Sequence, residues 1–151
     1  MRNLITAKPN ECEMAENNRA LDLFICAMMG CDTLTIESLL LPNRKYFGRY
    51  NKYQVIAILS RKFNKLGTGY ITGTFNMGVS LSSYPGSVAI EFKWAKVPEG
   101  YCEIEDPNPL EGPDVIKLNI ILVFQKGKIA DIIRAKNNIT LEKACVMARE
   151  N

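Results

Sequence analysis

A chain of 151 residues falls in the one-domain range, and 47% hydrophobic with 23% charged residues describes an ordinary globular core, excluding disorder and fibrous repeats. The net charge of +3 is too small to demand a nucleic-acid partner, and no apolar run approaches the length that spans a bilayer. Histidine is absent, which excludes imidazole-dependent hydrolase triads, histidine-ligated metals and general acid–base work by imidazole.

The stretch from Met1 to Pro9 lacks the continuous apolar core of a secretion signal, so the expected compartment is the cytoplasm, with residues 1–9 a tail and 10–151 one domain. Five cysteines, Cys12, Cys26, Cys31, Cys102 and Cys145, are odd in number and show no C-x-x-C spacing. They read as reduced thiols rather than a disulfide framework or a zinc site. Neither a metal nor a cofactor is expected.

From Asn10 to Met29, Met14, Leu21, Phe24, Ile25 and Met28 recur at helical spacing and share one face. Gly30 suits the stop of this helix, and Asp32 suits the cap of a shorter one from Thr33 to Leu41, ended by Pro42. After a polar aromatic stretch, Asn51 with Gln54 three residues on predicts a capping box opening a third helix, with Val55, Ile56, Leu59 and Phe63 as its buried stripe.

Gly67-Thr68-Gly69 ends the helical period, and strands follow. These glycines precede a strand, so they offer no helix N-terminus to an anion and read as a turn, with Gly73 a bend in a curved strand. Tyr70 to Leu81 alternates, with Ile71, Phe75, Met77, Val79 and Leu81 facing one way. A turn over 82–87 leads to Val88, Ile90, Phe92 and Trp94, again alternating. Val115 to Gln125 is apolar on both faces in its second half, as a central strand would be, and Lys126-Gly127 turns into a last strand from Lys128 to Ala135. Residues 138–149 are left as either a helix or an irregular arm, with Asn138 reading as a cap rather than a glycosylated residue. Helices followed by an antiparallel meander predict an α+β fold: a cone-shaped curved antiparallel sheet covered on one face by three N-terminal helices, its mouth an apolar pocket.

Charge is segregated along the chain. Residues 38–90 carry seven bases and no acid, and Arg44, Lys45 and Arg49 interleave with Tyr46, Phe47, Tyr50 and Tyr53. This pattern reads mainly as a solvated face, with anion binding by Arg44, Lys45 and Arg49 as the functional alternative. Residues 91–114 carry seven acids and two bases, and the proline-rich connection over 97–114 has no calcium-loop spacing.

Two local patterns carry a family resemblance. Leu21 to Asp32 leading into Ile36-Glu37-Ser38-Leu39-Leu40, and Leu122 to Ile129 running on to Ile132, resemble the helix, Gly-Asp connection and short second helix, and the closing hairpin, of the nuclear transport factor 2-like superfamily. That superfamily includes ketosteroid isomerase and the polyketide cyclase-like proteins. Tyr46-Phe47-Gly48-Arg49 is similar to its short first strand and following glycine. The resemblance implies a pocket and a homodimer packed through the open sheet face. It does not carry over a catalytic set: the isomerase's proton-shuttling aspartate falls near Lys45 or Tyr46, and its acidic hydrogen-bond donor near Asn119 or Ile120.

The residues expected to line the pocket are Tyr46, Tyr50, Tyr53, Ile56, Phe75, Met77, Ile90, Phe92, Trp94, Leu118 and Leu122. Trp94, the single tryptophan, also reads as plain core. Three functional readings follow. The first is a domain binding a small apolar or anionic molecule without a recognisable reaction. The second is a lyase, isomerase or hydrolase pairing a tyrosine with Glu111 or Asp114 of the acidic loop. The third is a module binding an anionic partner through 44–65, with nucleic acid and membrane not expected.

Overall fold

The first helix, α1 (Glu11–Met29), starts where the Asn10 side chain accepts the Glu13 N–H at 2.8 Å. It stops at Gly30, whose N–H donates to the Cys26 carbonyl at 2.9 Å, and Cys31 then takes a left-handed φ of 55° that redirects the chain. Asp32 opens α2 (Thr33–Leu39), accepting from the Thr35 N–H at 3.2 Å and the Thr35 hydroxyl at 2.6 Å. The expected capping box is formed: Asn51 and Gln54 exchange two bonds of 2.9 Å ahead of α3 (Lys52–Lys65). The computed structural model describes residues 10–65, 70–79, 81, 85–97 and 116–135. Expectations for the 1–9 tail, for Glu111 and Asp114 and for 138–151 lie outside the described residues.

Four strands follow in a meander: β1 (Tyr70–Val79), β2 (Ser87–Val97), β3 (Ile116–Gln125) and β4 (Lys128–Arg134), each antiparallel to its neighbour in the order β1-β2-β3-β4. The β3–β4 hairpin closes on Lys126 (φ 49°) and Gly127 (φ 75°), the paired left-handed conformation of a two-residue hairpin turn. Three helices preceding a four-stranded curved antiparallel sheet make this the α+β fold expected from the sequence.

Three local expectations are corrected. Helix α2 ends at Leu39 rather than Leu41, because Leu40 turns extended and forms a parallel bridge with Ile129. The short strand expected at Tyr46–Arg49 is a tight turn: Phe47 and Gly48 both have positive φ, and an isolated bridge joins Tyr46 to Tyr50. In β1, Met77 pairs with Ile90 but Val79 pairs with Ala89, so Gly78 is an extra residue and the alternation does not continue to Val79. A second bulge places Ala130 between Asp131, paired with Val123, and Ile129, paired with Phe124.

Helix α1 supplies Ala20, Leu21, Phe24, Ile25 and Met28 to the core, and α3 supplies Val55, Leu59 and Phe63. They meet Val88, Ile90, Phe92 and Trp94 of β2 and Leu118, Ile120, Leu122 and Phe124 of β3. Full burial of each large apolar side chain contributes about 1.5–3 kcal/mol, and that gain orders the two helices on the sheet. The other sheet face is closed at its centre within one chain, with Ala89, Ile121 and Val123 at 0%, 2% and 5% exposure.

Candidate functional site

Residues paired across a ladder share a face, so the register defines the concave surface. Phe75 pairs with Phe92, which pairs with Leu118; Met77 pairs with Ile90, which pairs with Ile120; Gly73 pairs with Trp94. Along these rows exposure changes abruptly. Phe92 and Ile90 are at 0%, whereas Phe75 and Met77 on the same face are at 42% and 41%. On this face exposure therefore rises from β2 to β1.

At the boundary lies a row of aromatic rings. Phe24 of α1 meets Phe92 edge-on at 6.0 Å between centroids, Phe92 stacks on Trp94 at 5.6 Å and 10°, and Phe63 of α3 meets Trp94 edge-on at 6.2 Å. These are favourable aromatic geometries and they fix the Trp94 ring between strand and helix. Trp94 is 2% exposed, and its Nε1 has no hydrogen-bond partner among the described residues. A buried donor left in that state costs about 1–3 kcal/mol. Gly73 is the partner of Trp94 across the β1–β2 ladder.

The expected lining divides into two groups. Phe75, Met77, Ile90, Phe92, Trp94, Leu118 and Leu122 come together on the concave face, Leu122 as its sealed floor. The tyrosines and Ile56 do not join them as one wall. Tyr46 is at 0% exposure, its hydroxyl taking the Leu41 N–H at 2.7 Å and donating to the Ile129 carbonyl at 2.7 Å, so it ties the exit of α2 to β4. Burial, the leading cause, pushes its phenol above the ordinary value, with Asp131 adding to the shift and the Leu41 bond and Arg44 opposing it. Tyr50 packs on Phe47 and accepts a hydrogen bond from Arg49, Tyr53 is 69% exposed on α3, and Ile56 is only partly buried.

The basic residues expected to hold an anion are dispersed in their bonding. Arg44 donates to Gln125 at 2.8 Å, Arg49 lies 4.7 Å from the centre of the Tyr50 ring, and Lys45 is exposed. Asp131 is a buried acid that sequence reasoning passed over; it accepts the Ile132 N–H at 2.8 Å and pairs with Val123 on the outer face. Among the described sheet residues, the only other carboxylate, Glu91, is also on that face, paired with Asn119. Phe63 was read as core stripe alone, though its ring borders Trp94; its spacing four residues after Leu59 gave its face but not its partner.

No family model matches the chain, and no curated protein matches it. Solved structures do. An LEH-like epoxide hydrolase from M. tuberculosis is 14% identical with a TM-score of 0.50, the match covering 92% of this chain and 91% of that one. A SnoaL-like polyketide cyclase from Agrobacterium tumefaciens str. C58 is 12% identical with a TM-score of 0.53, covering 84% of this chain and 95% of that one. At these identities the likeness is one of fold, and the fold is nuclear transport factor 2-like, as the sequence patterns implied.

Proposed function

We propose that this chain is a small-molecule-binding domain whose ligand enters the concave face beside β1. The observation that carries the reading is the contrast along single ladder rows, Phe75 and Met77 being half-exposed on a face whose next residues are sealed. An apolar surface that is partly covered by its own helices and backed by a rigid aromatic row is a natural ligand wall. Solved structures of the same fold bear the names epoxide hydrolase and polyketide cyclase. Among the described sheet residues, the carboxylates Glu91 and Asp131 lie on the other side of the sheet, so the reading assigns them no part in the site.

The test uses the single tryptophan as reporter, titrating ethylbenzene against Trp94 fluorescence. Saturable binding is expected, and Met77→Asp, at a position already 41% exposed, should weaken it about tenfold, the order expected for losing one apolar side-chain contact. Binding unchanged by that substitution would place the ligand elsewhere and refute the reading.

A further inference from the structure

Among the described residues of the concave face, the Trp94 indole N–H is a polar group that the packing does not use. Trp94 is buried to 2% exposure between Phe92 and Phe63, and its Nε1–H has no acceptor among the described residues. An indole nitrogen is a donor only, so it cannot be satisfied by another donor or by an apolar group. The neighbouring position across the ladder is Gly73, and the next concave residue of β1 is the half-exposed Phe75. A sealed core tryptophan normally finds a backbone carbonyl for this proton.

We propose that the Trp94 Nε1–H is the polar anchor of the ligand site, so that the ligand is an apolar molecule carrying a hydrogen-bond-accepting oxygen, with a ketone as its simplest form. This inference rests on the binding site proposed above and adds the chemistry that site selects. The apolar body lies against Phe75 and Met77, and the oxygen accepts from Trp94. A ligand of the same shape without the oxygen leaves the donor unpaired, and the preference between the two measures the bond.

Because the chain has one tryptophan, it gives one indole resonance in a proton–nitrogen correlation spectrum. The full chain is titrated with acetophenone and with ethylbenzene, which are nearly equal in size and differ by the carbonyl oxygen. Both are expected to shift the backbone amides of Phe75 and Met77, and acetophenone alone to move the indole proton downfield. In Trp94→Phe the ratio of acetophenone to ethylbenzene affinity should fall about fivefold, the worth of one net hydrogen bond, while ethylbenzene still binds. An indole resonance that responds alike to both compounds overturns the donor role and leaves the concave site standing. If neither compound shifts the β1 amides, the site itself is overturned and the donor role with it. Should Trp94→Phe fail to fold, the indole titration of the unaltered chain decides the question alone.

Discussion

Tyr46 shows how a residue's chemistry depends on where its polar atom ends. In sequence it sits in a basic aromatic stretch and invites a ligand role; in the fold its hydroxyl is shared between the Leu41 N–H and the Ile129 carbonyl. Tyr46→Phe removes both bonds and is expected to destabilise the protein by about 1–3 kcal/mol, read as a lower urea midpoint. The same burial gives a pH signature. With its folded pKa raised from an ordinary 10.0, the Tyr46 contribution is complete below about pH 10 and is lost as pH rises through the folded value. The alkaline decline in stability should therefore be shallower in Tyr46→Phe than in the unaltered chain. Asp32 works in the opposite sense: the Thr35 hydroxyl, then the Thr35 N–H, hold its carboxyl below the ordinary 3.8, so its contribution is present above that value and lost as pH falls below it.

Among the elements, the turn of the β3–β4 hairpin is hydrogen-bonded to α1. Gly127 donates its N–H at 2.9 Å to Asn17, which is buried to 1% exposure, and a Cβ on Gly127 would lie 3.1 Å from the Glu16 Cβ. Gly127→Ala combines that approach with a left-handed φ of 75° and is expected to cost at least about 1–2 kcal/mol, measured by chemical unfolding. Helix starts were the best-read features of the sequence, because an N-cap is a local device: Asp32, Asn51 and Gln54 satisfy backbone groups three residues away. The bulges at Gly78 and Ala130 were not readable, since an extra residue is defined only by the partner strand it fails to match. For the same reason Asn17 gave no sign of its role; its partner is 110 residues away.

Across the whole molecule, the order of elements and the apolar stripes sufficed for the α+β architecture, because periodicity records which face each element buries. They placed the strand residues of the site together as well, from Phe75 and Met77 to Leu118 and Leu122. What they did not supply was the difference in exposure along that face, Phe92 at 0% and Phe75 at 42%, which makes part of it a candidate ligand wall. The closed centre of the outer face was legible in part, since the unbroken apolar run from Ile120 to Val123 predicted a strand buried on both sides. The measurement that bears most directly on the central claim is a crystal structure of the chain with 4-bromoacetophenone, located by the anomalous signal of bromine. The account predicts one bromine site on the concave face beside Phe75 and Met77, with the carbonyl oxygen within hydrogen-bond distance of Trp94 Nε1. A concave face without bromine, or bromine bound only on the outer sheet face or among Arg44, Lys45 and Arg49, would contradict it.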